Sequence, residues 1–146
     1  MMFTHADDKP VLVLDTEQCW TLLNHAKHGR LATSVGGEID LVPVNHATAD
    51  GKIYLRTAPG GKLAGLTVNP RVVFEADGIL SDEAWSVVVR GTARVLQTEA
   101  EIDIASAAGV DPWVPTLKDF WVEIDPSEIT GRHFRLGRQP EQLDEG

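Results

Sequence analysis

Apolar residues along this chain recur in two rhythms. After a short apolar segment at 10–14, Cys19, Leu22, Leu23 and Ala26 fall at i, i+3, i+4 and i+7, which marks one face of a helix. Asp15 with Gln18 three residues on is a capping-box start, and Gly29 reads as the stop. Beyond Gly29 the pattern becomes that of strands. Segment 30–35 runs into Gly36-Gly37, and 39–47 returns from it, the signature of a hairpin. Pro43 inside the returning strand implies an edge or a bulge. Asp50-Gly51 predicts a second hairpin, with 52–57 as its outgoing strand.

A glycine-containing turn at 58–61 and a short helix over 62–68, ended by Asn69-Pro70, come next. Strands are predicted over 71–77 and 84–96, the second being the longest and bent at Gly91. A helix over 99–108, strands over 119–124 and 129–134, and a polar tail at 135–146 complete the chain. Many short strands joined by hairpin turns predict a mainly β fold, an antiparallel sheet or barrel with two or three short helices. No βαβ alternation supports a parallel sheet.

The 146 residues suit one domain, residues 1–146, with its core over about 16–134. The formal net charge is −9, with 13 Lys and Arg against 22 Asp and Glu, and the basic residues are scattered. That distribution argues against nucleic acid and anionic membranes as partners. One cysteine, Cys19, excludes an intramolecular disulfide and fits a reducing compartment. No secretory signal is legible at the N-terminus and no apolar run reaches bilayer length, so the expected location is the cytoplasm.

An anionic ligand on an acidic protein needs a local basic pocket. The stretch from Leu55 to Ala64 offers one: Arg56 and Thr57 end a strand, glycines follow, and Lys62 opens a short helix. A guanidinium, a hydroxyl, an ammonium and free backbone N–H groups are the donors a phosphate takes, although a solvated surface loop would read the same way. The P-loop and Gly-x-Gly-x-x-Gly spacings are absent. On the strand at 84–96, Trp85, Val87 and Val89 share one face and Ser86, Val88 and Arg90 the other, which makes Trp85 a core residue and lets Ser86 face a ligand. His25 and His28 read as a solvated helix end, His46 and His133 as surface strand residues, and Cys19 as a buried inert thiol. No metal set, catalytic triad or paired carboxylate is legible.

Gly29-Arg-Leu-Ala-Thr33, Pro43-Val-Asn45, Tyr54-Leu-Arg-Thr57 with Lys62, Asn69-Pro-Arg-Val-Val-Phe74 and Trp85-Ser-Val-Val-Val-Arg-Gly91 occur in that order. Together, over about residues 16–134, they resemble the pyridoxamine 5′-phosphate oxidase-like flavin-binding split-barrel superfamily, in its branch of small bacterial flavin- and deazaflavin-dependent proteins. The resemblance implies a six-stranded antiparallel split barrel, a homodimer, and two cofactor sites lined by both chains. It implies FMN as cofactor, with the deazaflavin F420 as the alternative. Arg56, Thr57, Gly61 and Lys62 would hold the cofactor phosphate, and Pro43, Val44 and Asn45 would run along the ring. Ser86 would meet the ring's polar edge, and Arg132 would reach over from the partner chain.

Asn45 stands where the oxidases carry a lysine, and their C-terminal arginine-bearing substrate motif is not evident. The resemblance therefore implies an FMN-dependent oxidoreductase acting on a small molecule, not oxidation of the vitamin B6 phosphate. For F420, Arg30, Lys52 and Lys62 would supply the extra cations its acidic tail needs. A non-catalytic flavin or haem carrier is the reading from another class, with His46 or His133 as the first axial-ligand candidates.

Overall fold

The computed structural model describes residues 2–6, 9–57, 64–110 and 120–137. In chain order they form β1 (Val11–Val13), α1 (Thr16–His25), β2 (His28–Val35), β3 (Glu38–Ala49) and β4 (Lys52–Thr57). A 3-10 turn at Ala64–Thr67, β5 (Arg71–Ile79), β6 (Glu83–Val95), α2 (Glu99–Ala107) and β7 (Phe120–Arg135) follow. The antiparallel order β7-β4-β3-β2-β5-β6 closes on itself through a β6–β7 ladder, and β1 adds a seventh strand on the free side of β7. The fold is thus a mainly β barrel with two helices.

Local chemistry sets most of these boundaries. Asp15 accepts from the Gln18 backbone N–H at 2.8 Å while Gln18 Oε1 accepts from the Asp15 N–H at 2.9 Å, so the predicted capping box forms. Thr98 and Glu101 repeat the device at α2. Asp50 and Gly51 both take positive φ, 51° and 74°, as a two-residue hairpin between right-twisted strands requires.

Gly29 does not stop α1. The helix ends at His25, where Ala26 turns extended. Gly29 instead lies in β2, and a Cβ there would stand 2.3 Å from the Glu75 carbonyl oxygen and 2.7 Å from the Phe74 ring. Pro43 sits inside β3 opposite Arg30. It is nevertheless on a local edge, because β4 pairs with β3 only over 46–49, which leaves no acceptor waiting for the N–H that proline lacks. The two strands predicted at the end are one, of 16 residues, longer than the 13 of β6. The ladder slips between Arg90 and Gly91, where Pro126 stands opposite Gly91 and Ser127 is the extra residue. That bulge accommodates the proline within a continuous strand.

The strand alternation fills the barrel with Leu31, Ile53, Leu55, Phe74, Val87, Val89, Val122 and Ile124, all fully buried, beside Trp85. Between the segments of β7 that pair with β4 and β1, one edge of β7 has no strand beside it. Helix α1 packs there, bringing Cys19, Leu22 and Leu23 into the same core. Each buried leucine contributes about 1.5–3 kcal/mol by leaving water. Tyr54, Leu96 and Ala105 form a smaller cluster beneath α2.

Two predictions follow from this packing. A Cβ on Gly131 would lie 2.7 Å from Cys19 Sγ, so Gly131→Ala should lose about 1–3 kcal/mol in denaturant unfolding. In the Cys19→Ala background the same change should cost clearly less, since the clashing sulfur is gone.

The second prediction concerns His46 and His133, which lie inside the barrel, 3% and 0% exposed. Burial pushes both imidazoles below their ordinary pKa. The folded state thus holds fewer protons than the unfolded one, and this part of the stability is complete above about pH 6.5 and is lost as pH falls through the folded values. An NMR titration should find both rings still neutral below pH 6.5. Rings that titrate at or above that value would contradict the assignment.

Candidate functional site

Parity along β3 decides which side chains reach the outside. Val44 and His46 point into the barrel and are buried, whereas Pro43 and Asn45 face outward. On β4, Ile53 and Leu55 point inward and Arg56 outward. The β3–β4 ladder ends with His46 opposite Leu55, and Asn45 and Arg56 are the next residues of the two strands beyond it. The Arg56 guanidinium lies over the Trp121 ring, 5.1 Å from its centroid, a cation–π contact that orients the fork. Thr57 pairs with Phe120 at the last position of β4. Pro43, Asn45 and Arg56 therefore lie on the outer face, with Val44 able to contribute only its main chain, while Thr57 shares the inward parity of Ile53 and Leu55 at the open end of β4. Gly61, Lys62 and the start of the helix predicted at 62–68 lie outside the described residues.

Ser86 and Arg132 form a second group. They are cross-strand partners on β6 and β7, with Asp77 on the other side of Ser86. Ser86 is reached from Asn45 across β2 and β5, and Arg132 lies toward the opposite end of β7 from Trp121.

A cleft of about 690 Å³ adjoins the first group. It includes Asn45, Thr48, Trp20 and Asn24, and closes against Ala108 and Gly109 beyond α2. The Thr48 hydroxyl hydrogen-bonds Asn24 Oδ1, tying β3 to α1. Neither Trp121 nor Trp20 was singled out by the sequence reading. Trp20 carries a usable signal, an aromatic placed just off the apolar stripe of α1, while the position of Trp121 under Arg56 depends on long-range register.

The histidines depart from expectation. His46 and His133 are core residues, because on their strands they share parity with Val44 and Gly131 rather than with the outward positions. His46 Nε2 donates to the Leu23 carbonyl at 3.0 Å, which leaves the lone pair on its buried Nδ1 without a partner. His133 Nδ1 shares a 2.6 Å hydrogen bond with His5 Nε2, and its Nε2 lies 3.6 Å from Glu83 Oε2. Neither ring presents a nitrogen to a ligand on the outer face, so neither fits the role of an axial haem ligand there. His25 is exposed at the last turn of α1, and His28 opens β2.

Cys19 is fully buried, and burial raises its thiol pKa, as expected of an inert thiol. Arg30 is held by Glu75 at 2.7 Å and Asp77 at 3.2 Å, and Lys52 by Asp125 at 2.7 Å. No helix among the described residues is long and apolar enough to cross a membrane.

Comparison with known proteins agrees with this architecture. The family model described as pyridoxamine 5′-phosphate oxidase matches residues 15–133. A solved structure of a candidate pyridoxamine 5′-phosphate oxidase from Corynebacterium glutamicum is 40% identical. It superposes with a TM-score of 0.80, over 90% of this chain and 98% of that one. An FAD binding protein from Mycobacterium smegmatis is 38% identical, with a TM-score of 0.74 over 86% of this chain and 100% of that one. An uncharacterized protein of Mycobacterium tuberculosis is 44% identical over 90 residues, 62% of this chain and 82% of that protein. The split-barrel ring, the outward Arg56 and Asn45 and these similarities converge: the chain belongs to the pyridoxamine 5′-phosphate oxidase family.

Proposed function

We propose that this protein is an FMN-dependent oxidoreductase that holds its flavin on the outer face of β3 and β4, at the interface of a homodimer. The observation that carries this reading is the outward Arg56, held over the Trp121 ring on β4 beside the β3 segment that bears Pro43 and Asn45. A planar fork fixed in this way suits a phosphate group, and Thr57 with Lys62 would add a hydroxyl and an ammonium. Pro43, the Val44 main chain and Asn45 would border the ring. When bound, the flavin supplies the electron or hydride transfer, while the chain binds it, orients it and keeps water from one of its faces.

The second chain has a specific task in this reading. Arg132 lies toward the opposite end of β7 from Trp121 and Arg56, so in this reading Arg132 would serve the flavin held by the other chain. On the outer face of β3, Ile39 and Leu41 are 75% and 63% exposed, and apolar side chains left in water beside a polar group favour being covered. FAD is the second ligand to weigh, because the 38%-identical relative from Mycobacterium smegmatis is an FAD binding protein. The phosphate clamp serves either flavin. F420 has less support, since the Arg30 and Lys52 side chains its acidic tail would need are already paired with carboxylates.

The test is an absorbance spectrum of the purified protein followed by titration with FMN, FAD and F420. Arg56→Ala and Lys62→Ala should each weaken flavin binding by about 1.5–3 kcal/mol, the worth of a charge-assisted hydrogen bond, and leave the dimer intact. Unchanged binding in both variants would remove the clamp from this site. Retention of flavin by a proven monomer would remove the shared interface. Bound flavin that no nicotinamide donor reduces would mark a carrier rather than an enzyme.

A further inference from the structure

The cations of this acidic chain do not all share the same surroundings. Arg30, Lys52 and Arg94 each meet one or two carboxylates, and Arg94 joins Glu101 to Glu123. Arg71 and Arg90 are different. Both project from the outer face, on β5 and β6, and among the described residues neither guanidinium has a carboxylate within ion-pair distance. The ladder pairs Arg71 with Thr92 and Val73 with Arg90, so the two arginines are diagonal neighbours, a spacing of roughly 7–8 Å. They border one cleft of about 450 Å³. Its other polar residues are Thr33, Ser34, Asn69, Thr92 and Ser127, and no aspartate or glutamate lines it.

The cleft is built, not incidental. Asn69 donates through Nδ2 to the Ser34 carbonyl at 2.7 Å and accepts from the Arg71 N–H at 3.1 Å, fixing the start of β5 against β2. Ser127, the extra residue of the β-bulge, donates to the Arg90 carbonyl at 3.0 Å, fixing the other wall. Glu128 faces Arg90 in the ladder but is exposed and stays outside the cleft. Glu128 answers Arg90 from the far side, but no carboxylate lies in the cleft between the two guanidinium groups, and an anion there would relieve their mutual repulsion. Ala32, Ile39 and Val73 supply an apolar floor, and the volume falls in the range of small-ligand sites.

From this geometry we infer a second ligand site, separate from the flavin clamp: the Arg71–Arg90 cleft binds the phosphate of a small organic phosphate ester, whose apolar body lies on Val73 and Ala32. The two guanidinium forks take the phosphate oxygens, and the hydroxyls of Ser34 and Thr92 add donors. Along β6, Arg90 is four residues from Ser86, about 13 Å, so the site is distinct from both groups assigned to the flavin.

Phenyl phosphate and inorganic phosphate are the probes, titrated into the full chain and followed by calorimetry and ¹⁵N NMR. Saturable binding of one phenyl phosphate per chain is expected, tighter than inorganic phosphate, with shifts centred on Ser34, Arg71 and Thr92. Arg71→Ala and Arg90→Ala should each weaken it roughly tenfold or more. Both side chains are exposed, so the melting temperature should hold, and flavin titration should be unchanged. Absence of saturable binding, or equal binding by the double variant, would overturn the site. So would phenyl phosphate binding that FMN displaces and that Arg56→Ala abolishes, because the phosphate would then be occupying the flavin clamp. Loss of flavin binding alone would leave this site standing.

Discussion

Sixteen consecutive residues, Phe120–Arg135, carry the backbone hydrogen bonds that close this barrel. One side of β7 is committed to β6 along its length. The other side is divided, with β4 on its first five residues and β1 near its end. A strand that must serve three partners needs a place to re-aim, and the bulge at Ser127 supplies it. The gap left between β4 and β1 is where α1 docks. The helix position, the burial of Cys19 and the demand for glycine at 131 are thus consequences of how one strand divides its edge.

The same division organises the outer surface. Because β4 pairs with the start of β7 and β1 with its end, Trp121 and Arg132 stand toward opposite ends of the strand. Trp121 supports Arg56, and Arg132 stands beside Ser86. The two groups of residues that the family resemblance assigns to one cofactor are therefore separated by construction within one chain.

Much of this was legible in the sequence, and what was not shares a physical cause. Capping by Asp15 and Gln18, the Asp50-Gly51 hairpin and the in-out alternation around Trp85 are local, so a short window contains all the information. Gly29 misleads because a glycine after a helical stripe resembles a C-cap, whereas its real reason is Phe74, forty-five positions away in the chain. Pro126 divides β7 for any local reading, since only the β6 ladder reveals that it occupies a bulge. His46 and His133 look like surface residues until register fixes their parity. For the candidate site, motif order picks out Arg56, Thr57, Pro43 and Asn45, but the seat of Arg56 over Trp121 and the closeness of Ser86 to Arg132 are statements about pairing between strands. The Arg71–Arg90 pair was invisible for the same reason: 19 residues separate two side chains that the hairpin makes neighbours.

The seat of Cys19 has a consequence for how the barrel can be watched. Its sulfur lies against the backbone of β7 with no room for an added atom. Covalent labelling of this thiol requires α1 to lift away from the gap between β4 and β1 first. The rate at which a thiol reagent is consumed therefore measures the frequency of that opening, and the chain carries, in its single cysteine, a built-in clock for the breathing of its own seam.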